Sequence, residues 1–315
     1  MMSTNIKKGI AILFGMALLS FSVTGCGGGS SDASAAVPVD TSVITETEKV
    51  VITEANSEEV IGTAFDAIGT GIDTDPTSFK TTNPTKVLPQ LKTLEAPIFN
   101  KTISTMQNFK ELAVTEVVQC TDGGSISYNE ASETSVSITY DNCQEGLSTI
   151  DGIISATANS DYTSFEFTLT DFSISYDTDT IYYESMTYDY TIDSATSTIG
   201  NITMTLDGYH TFNGERTDFL DYKLQIREGT NSDIFFSIDG FVKTSCLNAW
   251  IQIQTTQEVN MGYYAYCPTS GQIVIAGNGS ELTVTFNNDG SVDVAGAVTA
   301  HYDDCNALDG TACSL

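Results

Sequence analysis

From Cys120 onward the apolar positions recur with a period of two. Tyr182, Met186, Tyr188, Tyr190 and Ile192 share one face, with Ser185, Thr187, Asp189 and Thr191 on the other. Ile202, Met204 and Leu206 alternate with Thr203, Thr205 and Asp207. Leu220, Tyr222, Leu224 and Ile226 alternate with polar residues, as do Ile234, Phe236 and Ile238. Alternation of this kind marks half-buried strands. Asn213-Gly214 and Asn288-Asp289-Gly290 are turn signals between such runs. The segment reads as a long antiparallel meander with an apolar, aromatic face and a Thr/Ser/Asp face.

Upstream the period becomes helical. Val60, Ile61, Ala64, Phe65 and Ile68 fall on one face of a helix over residues 56–68. Asn56 is placed to cap it, Glu59 stands three positions on, and Gly69 and Gly71 are read as its stop. A second helix is predicted over 98–118, from Phe99, Ile103, Met106, Phe109, Ala113 and Val117. Between them lies a loop with Pro76, Pro84, Pro89 and Pro97.

Ten or more strands at about 4.8 Å each make a sheet near 50 Å wide. A helix covers only about 10–12 Å. Two helices cannot hide a flat sheet of that width, so the apolar face must close on itself, fold into two layers, or wrap the helices. The predicted fold is mainly β with two N-terminal helices: a large curved antiparallel β-meander, with a half-barrel around the helices as one form.

An apolar-Asp-Gly triplet occurs at Ile150-Asp151-Gly152, Leu206-Asp207-Gly208, Ile238-Asp239-Gly240 and Leu308-Asp309-Gly310. The middle two lie within predicted strands, where glycine permits a bend or bulge. Gly208 and Gly240 are therefore predicted where the sheet bends, close to a neighbouring backbone. The alternative, calcium on these aspartates, lacks the dense acidic spacing of calcium loops.

The N-terminus carries a different signal. Lys7 and Lys8 precede an apolar run from Gly9 to Ser22, and Val23-Thr24-Gly25-Cys26 follows. A charged start, a short apolar core and a small-residue site are the parts of an export signal, and the run is short for a membrane span. These residues resemble the bacterial lipoprotein signal class, in which a Val/Leu-Ser/Thr-Gly/Ala-Cys box is cut before the Cys and the Cys is acylated. The resemblance covers about the first 26 residues. It implies loss of residues 1–25, acyl chains such as palmitate on Cys26, and a membrane anchor. Gly27 after the Cys resembles the outer-membrane sorting choice. Residues 26–53, rich in Gly, Ser, Ala, Val and Thr, read as a tether with a reach of roughly 28 Å. The expected organisation is then 1–25 signal, 26–53 lipidated Cys and tether, 54–118 helical segment, and 119–315 β domain.

Loss of the signal leaves 12 − 2 = 10 Lys and Arg against 41 acids, a net charge of about −31. That field repels nucleic acid and anionic head groups. Apart from Cys26, six cysteines remain: Cys120, Cys143, Cys246, Cys267, Cys305 and Cys313. In an exported chain they predict three disulfides. Local closure pairs Cys120–Cys143, Cys246–Cys267 and Cys305–Cys313. A repeat of Cys-x-x-x-Gly-x-Ile, at Cys120 and Cys267, each followed by a Tyr-Asp-x-Cys, offers the competing pairs Cys267–Cys305 and Cys246–Cys313. Zinc is disfavoured, with no C-x-x-C and only His210 and His301 in the chain.

No G-x-S-x-G, H-E-x-x-H, phosphate loop or dinucleotide fingerprint is present. Trp250, Tyr263, Tyr264 and Tyr266 could stack on sugar but read more simply as core. The expected function is non-catalytic: a cell-envelope lipoprotein with a binding or scaffolding role and no cofactor or metal. It would sit at the outer membrane, on its periplasmic or surface face, with an envelope protein as partner. A carrier of a lipid or acyl chain in an apolar hollow is the alternative. A carbohydrate-binding adhesin or glycosidase is a third.

Overall fold

The computed structural model describes residues 44–73 and 117–308, except 133, 162, 193–198, 213, 230–232 and 262–266. The signal segment, Cys26, Cys313 and Tyr263, Tyr264 and Tyr266 lie outside the described residues.

Fourteen strands form one open sheet in which every strand pairs antiparallel with its sequence neighbours. They are β1 (Val117–Gln119), β2 (Gly123–Ala131), β3 (Ser135–Glu145), β4 (Ser148–Ala158) and β5 (Ser164–Tyr176). Next come β6 (Asp179–Ile192), β7 (Ile199–Phe212), β8 (Glu215–Glu228), β9 (Ile234–Thr244) and β10 (Trp250–Met261). The sheet ends with β11 (Ser270–Ala276), β12 (Glu281–Phe286), β13 (Val292–Gly296) and β14 (Ala300–Tyr302). Among the described residues there is one α-helix, α1 (Ser57–Asp73). The second predicted helix is not supported: residues 98–116 lie outside the described residues, and Val117 and Val118 begin strand β1.

Two details of α1 depart from expectation. Gly69 and Gly71 do not stop the helix, which continues to Asp73. Each costs about 1 kcal/mol against Ala, and tertiary burial outweighs that. The Asn56 side chain turns back to accept the Thr53 N–H at 2.8 Å instead of capping forward. Val60 to Ala64 are all buried. At 100° per residue the buried Val60, Ile61, Thr63, Ala64, Ala67 and Ile68 form one broad side of α1, and Glu58, Glu59, Phe65 and Asp66, which keep some exposure, share the other. It touches β9, β10 and β11. The Tyr222 hydroxyl donates to the Ala67 carbonyl at 2.9 Å, and the Phe65 ring meets Phe286 edge-on at 5.8 Å.

Residues 45–52 were expected in the tether, but they are docked. The Val50 N–H donates to the Trp250 carbonyl at 3.0 Å, the Asn278 N–H to the Val50 carbonyl at 2.6 Å, and Ile52 is buried.

A line of β-bulges crosses the sheet. Extra residues fall at Asp141–Asn142 in β3, Asp171 in β5, Glu184 in β6 and Leu220–Asp221 in β8. Each bulge shifts the alternation by one. In β3 the buried residues are Val136, Ile138 and Tyr140 before it and Cys143 after; in β6 they are Ile181 and Tyr183 before it and Met186, Tyr188 and Tyr190 after. The expected face of β6 is therefore corrected: Tyr182 points outward and Tyr183 inward, because Glu184 adds a residue between them and Met186.

The Asp-Gly pairs are the partners of these bulges. Asp151-Gly152, Asp207-Gly208 and Asp239-Gly240 all lie inside strands, the first included. A Cβ on Gly208 would stand 2.1 Å from the Tyr182 carbonyl oxygen, and one on Gly240 (φ 146°) 2.5 Å from the Tyr222 Cα. Only glycine leaves room for the displaced backbone, and the placement expected for Gly208 and Gly240 is what the structure has.

Candidate functional site

The bulge line organises the outer face of β2 to β8. On one side of it runs an in-register row of Ser127, Thr139, Ile153, Thr170, Ser185 and Asp207. On the other side runs Asp151, Ser173, Tyr182, Tyr209 and Asp218. Between the rows, at β2 to β5, is an open depression of about 430 Å³ lined by Ser127, Thr139, Asp141, Asp151, Ile153, Thr170 and Asp171. Ile153 is 39% exposed there, an apolar side chain amid hydroxyls and carboxylates.

The acids are held by the fold. Asp151 accepts the Asn142 backbone N–H at 3.1 Å, and Asp207 accepts that of Asp221 at 2.6 Å and the Ser185 hydroxyl at 3.1 Å. Asp171 accepts the Tyr182 hydroxyl at 3.1 Å. Burial first, then this bond, pushes the Tyr182 phenol up to about 12. Burial, then the charges of Asp207 and Asp171, raise Glu184 above the usual carboxylate range.

Tyr182 stands directly opposite Tyr209, with ring centroids 5.3 Å apart and planes at 36°. The Arg216 guanidinium lies 3.8 Å over the Tyr209 ring and donates from Nε to Asp218 at 2.7 Å. Sequence reasoning missed this aromatic pair, because unbroken alternation puts Tyr182 inside. The available signal was the doublet Tyr182-Tyr183, where the apolar phase changes. A second missed signal is charge: from Glu111 to Glu215 the chain contains no Lys or Arg. Strands β1 to β7 thus carry acids and no cation.

The predicted site residues are placed as follows. Trp250 is buried at the start of β10. Cys120 is bonded to Cys143, and Cys267 to Cys305. The second bond overturns Cys246–Cys267 and Cys305–Cys313. Local closure fails because Cys267 precedes β11 and Cys305 follows β14, and the intervening meander returns the chain to the same end of the sheet, where their Cα atoms are 5.7 Å apart. Cys246 is also disulfide-bonded, leaving Cys26 or Cys313, both outside the described residues, as its partner.

Among the described residues, two groups bring three possible metal ligands together: Cys120, Cys143 and Glu145, and Cys267, Asp304 and Cys305. Each consists of a disulfide and one carboxylate, and a disulfide has no thiolate to offer. The acids along the bulge line do not converge in this way. The His210 ring packs on Phe219 at 5.3 Å. His301 lies between two carboxylates, Nδ1 at 2.7 Å from Asp293 and Nε2 at 3.5 Å from Asp303. Both its nitrogens face acids, and neither activates a hydroxyl or thiol. Among the described residues no helix is long and apolar enough to cross a membrane.

The outer face of β2 to β8 thus offers hydroxyls, carboxylate acceptors and the Tyr182–Tyr209 pair, and among its described residues no nucleophile and base are assembled. No family model matches the chain, and no curated protein matches it either.

Proposed function

We propose that the chain is a non-catalytic lipoprotein of the cell envelope, anchored through acyl chains on Cys26, whose sheet serves as a binding scaffold. The observation that carries this is Val23-Thr24-Gly25-Cys26 directly after the apolar run of residues 9–22. The disulfides agree with an oxidising compartment. The anchor would join the domain where residues 45–50 lie against Trp250 and Asn278. From Cys26 to Thr45 the tether then has a reach of about 24 Å.

We read the sheet as curling over α1, because one helix lies against β9, β10 and β11 and also reaches Tyr222 of β8 and Phe286 of β12. The Tyr222–Ala67 bond and the Phe65–Phe286 contact tie α1 directly to β8 and β12, and this close packing favours a scaffold over an acyl-chain carrier there. Ligands are then taken on the outer face, at the outer membrane.

Intact-mass analysis of the protein extracted from membranes tests the anchor. The expected result is a chain beginning at Cys26 with acyl mass added, and unacylated protein in the soluble fraction for Cys26→Ser. A mature chain without acyl mass overturns the reading.

A further inference from the structure

We propose that the outer strip from β2 to β8 is a binding site for a neutral oligosaccharide. The inference rests on the reading of the sheet as a scaffold and is independent of the anchor. Its core is the Tyr182–Tyr209 pair, which sits outward only because the Glu184 bulge reverses the phase of β6. The pair is half-exposed: Arg216 lies over one face of Tyr209, and the ring surface left open is apolar with polar rims. A pyranose ring presents the matching surface: a face of C–H groups bordered by hydroxyls.

The surroundings supply the polar half of such recognition. Thr139, Thr170 and Ser185 form one bank of hydroxyls along the strip. Asp151 and Asp171 each use one carboxylate oxygen on a partner within the protein, and Asp207 uses both. These bonds fix their orientation and leave lone pairs for sugar hydroxyls. The depression around Ile153 adds an apolar floor at one end. Seven strands at about 4.8 Å give the strip a length of roughly 29 Å between its outer strands, enough for a chain of several sugars.

Charge selects among glycans. With no Lys or Arg between Glu111 and Glu215, uronates, sialylated chains and phosphorylated glycans meet carboxylates along β2 to β7, and Arg216 at the β8 end of the strip is already paired with Asp218. A bare metal ion is a poorer fit, because the acids do not converge on one point. A basic protein would be drawn to the same charge, but it would not need the ring pair, and its binding would collapse with salt.

The test is calorimetric titration of the full mature protein in detergent with maltohexaose, cellohexaose and chitohexaose. A galacturonate hexamer and polylysine serve as anionic and cationic probes. Binding of at least one neutral hexasaccharide, little changed between low and high salt, is expected. Tyr182→Ala and Tyr209→Ala should each weaken it roughly tenfold, the scale of one aromatic contact, with circular dichroism unchanged. Phe235→Ala is the control: Phe235 is also an outer aromatic under an arginine, Arg227 at 4.0 Å, but lies beyond the strip on β9. Its variant should bind as the parent does. No binding of any neutral hexasaccharide overturns the proposal. So does salt-sensitive binding of polylysine alone, or equal affinity in the two tyrosine variants. Acyl mass is measured on the same preparation: an acylated chain that ignores glycans overturns only the glycan site, and an unacylated chain that binds them overturns only the anchor.

Discussion

The Asp207 carboxylate on β7 accepts the backbone N–H of Asp221 on β8 at 2.6 Å. Asp221 is the bulged residue, at φ 47°, and its displaced amide is left without a regular ladder partner. Asp151 does the same for Asn142, at φ 45°, one sheet region away. The Asp-Gly pair is therefore a bulge receptor: the acid takes the amide and the glycine makes room. Asp207→Ala and Asp151→Ala should each destabilise by about 1 kcal/mol, the size of one such bond. Asp239→Ala should cost less, because among the described residues no bulge amide donates to Asp239. Chemical denaturation of the three variants checks the order.

Gly208→Val and Gly240→Val should be the more damaging changes. A Cβ at Gly208 falls 2.1 Å from a backbone oxygen, so strands must move apart. The expected cost is about 3 kcal/mol or more, at the top of the overpacking range. Thr203→Val, on the outer face of β7, should change stability by well under 1 kcal/mol. Melting temperatures that match the parent in the glycine variants would refute the bulge account.

Two buried tyrosines should respond in opposite directions to loss of the hydroxyl. Tyr222→Phe removes the bond to the Ala67 carbonyl and should cost about 1–2 kcal/mol. The Tyr140 hydroxyl is buried with no hydrogen-bond partner among the described residues. Tyr140→Phe should leave stability unchanged or raise it by up to about 1 kcal/mol. Burial raises both phenols above the ordinary tyrosine range, so neither should ionise before the protein unfolds in base.

His301 should titrate above the usual histidine value, because Asp293 accepts its hydrogen bond and Asp293, Asp303 and Asp289 favour the imidazolium. With the folded pKa raised, its contribution to stability is complete below the unfolded value near 6.5. It is lost as pH rises through the folded pKa. Ring-proton NMR titration should show a midpoint above 6.5, and Asp293→Asn should move it down. A midpoint at or below 6.5 would show that the pairing does not hold in solution.

Non-reducing peptide mapping should find Cys120 with Cys143 and Cys267 with Cys305. With Cys26 acylated, Cys246 should appear with Cys313. Cys143→Ser should cost about 2–4 kcal/mol for a loop of this length.

Much of the architecture was readable along the chain. Strand alternation predicts the inward set Ile202, Met204, Leu206, Leu224 and Ile226, and all are buried. Asn288-Asp289-Gly290 predicts a turn, and the Gly290 N–H closes one on the Asn287 carbonyl at 2.9 Å. Glycine inside an alternating run, as at Gly208, predicts a close backbone approach. These are local properties: a period of two decides side-chain direction, and a missing Cβ decides where another backbone can come near.

The rest depends on pairs of strands. A bulge exists only relative to its partner, so the Tyr182-Tyr183 doublet hints at a phase change but the extra residue at Glu184 is located only when β6 and β7 are set in register. That register turns Tyr182 outward beside Tyr209 and creates the candidate site. The bond from Cys267 to Cys305 likewise spans 38 positions and four strands, and proximity in the chain favoured nearer partners. The sequence by itself determined the β class, the alternating faces and the glycine positions, because each follows from neighbouring residues. Only the tertiary structure decided which residues meet across the sheet, because register is a property of two strands together and one unpaired residue reverses every face beyond it.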